Sequence, residues 1–385
     1  FVISRYREEL DAGRPVAEAV EHTVARAGRT VVRTGAPHAA ARRLMNEVFA
    51  DFHDVDKSFV REFQTGGFSA RVFELALFAY LREQGLIPDR SHAAPDFAVL
   101  GDTPVAIEVT TTNPAQGGEP DDLEYAPLLH EDLPDADKAF VFQLGKALRR
   151  KLTHRDASCR AYWEKGHIRD VPFVIAVGAF HNQNAQMHVV GTVAEYLYGQ
   201  RDVLTHDTTG KLTITADKVE RHESGGKSIP SGLFQMPEAA NLAGVLFSNA
   251  HTMGMFNRIG TESGYGPDDV AICRVGTAYN PDPNASEPRP FAYVVGDRPP
   301  GEQETFAEGL HLFINPWANR KLSPQALPGI PFANFTDGRL VTMVPNSFQP
   351  FTSKTFVVEH PQAQQIARYQ QLLFLGKLPN EGTER

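Results

Sequence analysis

The sequence predicts an α/β fold, with a compact αβ core between an N-terminal helical segment and a strand-rich C-terminal region. Three observations point there. A helical run over 71–81 is apolar around most of its circumference, with Val72, Phe73, Leu75, Leu77, Phe78 and Leu81, which marks a buried helix. Two short apolar strands follow, over 95–100 and 105–112. An amphipathic helix and a third apolar strand over 172–177 then complete the order helix, strand, strand, helix, strand.

The elements can be justified in order. A first helix is expected over 15–27, with Pro15 near its start. A second is expected over 38–54, with Leu44, Val48, Phe49 and Phe52 on one face. Asp51, His53, Asp54 and Asp56 cluster at its end and read as polar helix-end residues before they read as metal ligands. The apolar helix ends near Gly85, a C-cap glycine. After the two strands, 113–135 is rich in Pro, Gly and Asp and reads as a long acidic loop. The next helix starts at the cap region of Asp135, Ala136 and Asp137 and runs to Leu152. Phe140, Leu144, Ala147, Leu148 and Lys151 recur along it at helical spacing.

Beyond this unit a short helix is expected over 193–198, strands over 211–219 and a turn at 222–227. A strand over 243–249 leads into a helix over 251–259. Short strands follow at 270–275, 291–295, 310–314, 340–344 and 354–358, and a helix over 362–375 closes the chain. The division expected is 1–62 helical, 63–200 core and 201–385 recognition or partner contacts. No internal repeat is evident.

The composition bounds the function. A chain of 385 residues with 42% hydrophobic side chains can bury a sizeable core. The two cysteines, Cys159 and Cys273, cannot form a disulfide framework, so a reducing, cytoplasmic setting is expected. The apolar stretches are too short for a membrane span and no signal peptide is recognisable. A chain beginning at Phe1 is expected to lack its true N-terminus. The net charge of -9 argues against non-specific coating of nucleic acid. It leaves room for a local basic groove along Lys146, Arg149, Arg150, Lys151 and Arg155.

Three acidic residues stand where apolar ones belong: Glu74 in the buried helix, Asp96 in the first strand and Glu108 in the second. A buried carboxylate costs several kcal/mol unless a positive group meets it, so three from neighbouring elements suggest one cation-binding spot. The hairpin register decides the matter. A two-residue turn at Asp102 and Thr103 pairs Asp96 with Val109 and sends the carboxylates to opposite faces. A three-residue loop of Gly101, Asp102 and Thr103 pairs Asp96 with Glu108 and leaves Pro104 at a tolerated strand start. The three-residue register is the expectation. Asp96 and Glu108, with a carbonyl such as that of Val109, then suit Mg²⁺ or Mn²⁺, and Glu74 can bind a second ion, orient a water or pair with a cation. Taken singly, Asp96 also reads as a strand-start cap, Glu108 as an edge-strand residue and Glu74 as a partner of Arg71.

This order of residues resembles the PD-(D/E)XK, or restriction-endonuclease-like, nuclease superfamily over about 69–177. Glu74 matches the helix acid, Asp96 the first-strand acid and Glu108 the acid of (D/E)XK. Thr110 stands where the motif has its lysine; it can place a water but carries no charge. The resemblance implies that the following helix supplies the lysine, with Lys146 first, sharing a face with Gln143, and Lys151 second. It further implies Mg²⁺- or Mn²⁺-dependent endonuclease activity on DNA in bacterial defence or repair. Arg149, Arg150, Lys151 and Arg155 would contact the substrate, with a homodimer or protein partner allowed. The alternatives are a catalytically silent nuclease-like fold that binds nucleic acid or protein, and a hydrolase of another phosphate ester. A second resemblance, to an uncharacterised bacterial family, rests on Tyr162-Trp163, 171–181, 244–249 and 256–260 and carries no function. His251, at a strand-to-helix junction, is a further candidate; His181 and His188 read as surface or core histidines.

Overall fold

The computed structural model describes residues 36–55, 57–65, 67–112, 133–180, 185–186, 190–298 and 302–376. The helix expected over 15–27, Asp56, most of the acidic loop, His181 and His188 lie outside them.

Helices α1 (Ala39–Ala50), α2 (Phe59–Thr65) and α3 (Phe68–Glu83) come first. α3 is buried from Val72 to Leu81, as its all-round apolarity requires. Gly85, at φ 72°, ends it in the left-handed region, and the Leu86 N–H donates back to the Leu81 carbonyl at 2.8 Å. Strands β1 (Pro88–Asp89), β2 (Phe97–Val99) and β3 (Val105–Thr112) follow, then α4 (Leu133–Thr153) and β4 (Phe173–Ala179). α5 (Val190–Tyr198) leads to two hairpins, β5 (Gln200–His206) with β6 (Leu212–Lys218) and β7 (Arg221–Ser224) with β8 (Lys227–Pro230). The second turns at Gly225 and Gly226, both at positive φ, as a tight hairpin turn demands.

The chain continues through β9 (Leu242–Ser248), α6 (Met253–Glu262), β10 (Val270–Ala278) and β11 (Arg289–Val294). It ends with β12 (Leu310–Ile314), β13 (Phe332–Thr336), β14 (Arg339–Met343), β15 (Pro350–Glu359) and α7 (Ala363–Phe374). β13 was not anticipated, because its short Phe-Ala-Asn-Phe alternation sits between Pro331 and the Asp337-Gly338 turn.

One mixed eight-stranded sheet organises the molecule, in the order β1-β2-β3-β4-β9-β12-β13-β14. β3, β4 and β9 run parallel, with α4 crossing between the first two. Their fully buried sides carry near-continuous apolar runs, as a parallel sheet covered on both faces must. Phe97, Val105, Ile107 and Val109 join α1, α2, α3 and α6 in one core. Ala98, Ala106, Phe173, Ile175 and Val177 join α4 and α5 in the other. The boundary expected near 200 requires correction: β9, β12, β13 and β14 extend the same sheet, because β4 would otherwise be left as an apolar edge.

A smaller antiparallel sheet, β11-β10-β15, carries α7. It is tied to the main body by buried ions. Arg258 of α6 grips Glu304 through two bonds of 2.6 and 2.7 Å. Arg274 of β10 reaches Glu304 at 3.3 Å and Glu308 at 2.6 Å, and Arg298 meets Glu308 at 2.7 Å. No helix among the described residues is long and apolar enough to cross a membrane.

Removing one member of a buried ion pair strands the other. Arg258→Ala should therefore destabilise the fold by about 3–5 kcal/mol, read as a lower urea midpoint. A loss under about 1 kcal/mol would mean that the network is solvated in practice.

Candidate active site

The site forms where β2 and β3 meet the ends of α3 and α4. Phe97 pairs with Ile107, Ala98 with Ala106 and Val99 with Val105. Extended by one residue, this register sets Asp96 opposite Glu108, the three-residue arrangement anticipated above. Strand pairing stops at Val99 and Val105, so the connection is longer than a minimal turn. Asp96 lies just outside β2, and its Oδ2 accepts the Val109 N–H at 2.7 Å. Its carboxylate thus continues the ladder where the backbone leaves off.

Glu108 is 5% exposed and faces α4. The Lys151 ammonium donates to its Oε1 at 2.6 Å, and Lys151 also sits 5.8 Å from the Tyr162 ring centre. Glu108 Oε2 is buried, and the Tyr162 hydroxyl lies close enough to Glu108 to help hold its carboxylate. Burial pushes the Glu108 pKa up to about 8, and the nearby Asp96 charge adds to that against the pull of Lys151. Burial raises Asp96 as well, again opposed first by Lys151. Lys151 is the cation nearest both carboxylates, and Arg90 and Arg71 add their charges at Asp96.

Glu74 belongs to the same spot but is already clamped. It is 3% exposed. Arg71 holds Oε2, and Arg90 reaches Oε1 with two donors at 3.2 Å each. Arg90 also donates to the Asp96 carbonyl at 3.1 Å and lies 3.7 Å over the Phe52 ring. Burial and the Asp96 charge lift the Glu74 pKa to about 7 despite Arg71 and Arg90. With both oxygens engaged, Glu74 acts on the site through Arg90 in this arrangement.

The expected lysine needs correcting. Lys146 is exposed, whereas Lys151 reaches Glu108. On α4, Lys151 falls three and four residues after Leu148 and Ala147, within the apolar stripe that faces the sheet. That spacing was the available signal. Gln143 is half-buried and hydrogen-bonds neither carboxylate. Arg150 donates to the Thr110 Oγ1 at 2.8 Å, which puts a charge beside that threonine. Arg149 turns away to Met236 and Glu238, 3.4 and 3.7 Å off. Arg155 is spent on the carbonyls of Leu152 and His154 at the end of α4. Arg71 is the partner of Glu74 that its i,i+3 place offered, whereas Arg90 and Tyr162 were missed; only their nearness to acidic positions after folding reveals them.

The other sequence candidates are structural. Asp54 Oδ2 accepts the Phe59 N–H at 3.3 Å, at the start of α2. His251 is fully buried, bonded to Ser248 Oγ at 2.6 Å and to the Phe306 carbonyl at 2.7 Å. Burial lowers its pKa to about 4, so it stays neutral.

Comparison with protein-family models, curated proteins and solved structures gives no match. The chemistry therefore rests on the site alone. Among the described residues no group of three or more His, Cys, Asp and Glu side chains is placed to hold a metal ion. Asp96 and Glu108 remain as a pair of buried carboxylates, with Glu108 Oε2 shut off from solvent. A hard cation that takes one or two carboxylates and completes its shell with water would find its protein ligands in such a pair.

A carboxyl whose folded pKa is raised binds its proton more tightly in the folded state. Its contribution is complete below the unfolded value of 4.5 and is lost as pH rises toward 8. Unfolding free energy should fall across that window, by at most about 1.4 kcal/mol per pH unit from this group. Glu108→Gln should flatten the fall without abolishing it, because Glu74 titrates in the same direction. Denaturant melts of both proteins at pH 5, 6, 7 and 8 check this; parallel curves would clear Glu108 of the role.

Proposed function

We propose that the protein is a divalent-metal-dependent phosphodiesterase acting on DNA, an endonuclease with a restriction-endonuclease-like core. The observation that carries this is the convergence of Asp96 and Glu108 on Lys151, two buried carboxylates beside one ammonium. The elements that supply them come in the order of the PD-(D/E)XK core, with α4 providing the lysine that Thr110 lacks. A role in bacterial defence or repair extends that resemblance.

In this reading Asp96 and Glu108 would hold Mg²⁺ or Mn²⁺, which would supply a water of lowered pKa and neutralise charge on the phosphoryl group. Lys151, which now meets Glu108 Oε1, would offer its ammonium to a water or a phosphate oxygen at the same spot. Arg150, fixed by Thr110, supplies a donor to the phosphate backbone. Arg71 and Arg90 hold Glu74, and Arg90 alone also binds the Asp96 carbonyl and so helps to position that residue.

A second reading has an observation of its own. Lys151, Arg71 and Arg90 already meet Glu108 and Glu74, so the same cluster can be a self-neutralised polar core. The protein would then be a silent nuclease-like fold that binds nucleic acid or a protein partner.

Plasmid nicking with Mg²⁺ or Mn²⁺ separates the two. Asp96→Ala, Glu108→Ala and Lys151→Ala should each lower the rate by about 100-fold or more, and Lys146→Ala by no more than about twofold. Metal-dependent cleavage that survives both carboxylate changes would sink the nuclease reading. Absence of cleavage with either metal, alongside intact DNA binding, selects the silent fold.

A further inference from the structure

A column of three rings leads from the core to the surface beside the carboxylates. Phe173, the first residue of β4, is buried and stacks on Tyr162 with ring centres 5.6 Å apart and planes 10° from parallel. Tyr162, also buried, stacks in turn on His154 at 4.9 Å and 23°. His154 is exposed, and among the described residues no further ring covers its outer face. The column is braced from the side: Trp163 packs 5.5 Å from Phe173, and the Arg155 guanidinium lies 5.6 Å over Trp163. Rings at such spacings attract one another, so the column presents a fixed flat face at its outer end.

The column is joined to the acidic site. The Tyr162 hydroxyl lies close to the Glu108 carboxylate, and the Lys151 ammonium sits 5.8 Å from the Tyr162 ring centre. A flat group seated on His154 is therefore one ring away from the residue that touches Glu108.

The surroundings favour an anion. Over 149–165 the chain carries six Lys and Arg against two acids, although the protein as a whole stands at -9. Both acids are already answered: Asp156 meets Arg160 at 3.2 Å, and Glu164 accepts the Ala161 N–H at 2.7 Å. An open ring face amid surplus positive charge is the combination that holds a nucleobase by stacking and its phosphate by charge. Bases in a duplex are stacked on one another and offer their edges, so the base that fits here is unpaired.

We propose that His154 is a stacking platform for an unpaired base, and that the nucleic acid taken at this site is single-stranded DNA. This names the substrate class of the proposed phosphodiesterase and rests on that reading for the chemistry, though not for the binding.

Fluorescence anisotropy without added metal reads binding apart from cleavage. A labelled thymidine strand of about twelve nucleotides should bind more tightly than a duplex of the same length at the same salt. His154→Ala should weaken the strand about tenfold and change the duplex by no more than about twofold, and His154→Phe, which keeps a ring, should restore the strand. A strand of the same length without bases keeps every phosphate and should bind the native protein about tenfold more weakly; this comparison needs no variant. Equal affinity for the thymidine and abasic strands, tighter binding of the duplex, a loss that His154→Phe does not repair, or no binding of the strand at all overturns the proposal. Plasmid nicking with metal judges the phosphodiesterase reading separately. Nicking that depends on Asp96 and Glu108, alongside strand binding unmoved by His154→Ala, would keep that reading and sink this one.

Discussion

The pairing of Phe97 with Ile107 is the constraint on which the rest of the site depends. In a two-residue alternation, one step of slip sends every side chain to the opposite face. Held in this register, Ala98, Ala106 and Glu108 face α4, while Phe97, Val105, Ile107 and Val109 feed the core beneath α3. The carboxylates therefore collect at the end of β2, where α3 brings Glu74 from one side and α4 brings Lys151 from the other. Two cores on either side of the hairpin enforce that register, so a local polar cluster is held by apolar contacts remote from it.

Much of this was legible in the chain, and the reason is physical. Glu74 and Glu108 stood out because charged residues seldom interrupt fully apolar elements, and both proved buried. The hairpin register followed from loop length and the position of Pro104. Asp96 kept both meanings: it caps the ladder through Val109 and it also faces Glu108. Lys146 illustrates the opposite case. Its spacing from Gln143 made a plausible face, but the face that matters is set by Phe140, Leu144, Ala147 and Leu148, and Lys151 lies on it. Long lysine stems extend apolar stripes while the ammonium reaches a polar group beyond.

What the chain hid was long-range. Arg90 follows β1 by one residue, and nothing local ties it to Glu74, sixteen positions earlier. The union of Arg258, Arg274, Glu304 and Glu308 joins a helix, a strand of the smaller sheet and a connecting segment. Such a network depends on tertiary proximity, which neither periodicity nor composition encodes. The same holds for the strand order, in which β4 is followed in space by β9 and then β12.

That strand order has a bearing on how this molecule can be shortened, exchanged or inherited. The segment that carries the carboxylates is not a detachable module. Cut after α5, it would present β4, apolar along its length, as a bare edge, and another strand would pair there by default. Its two halves therefore share one fate: each supplies the other's missing neighbour, and a splice that respects the acidic site but severs β4 from β9 yields an adhesive fragment in place of a smaller protein.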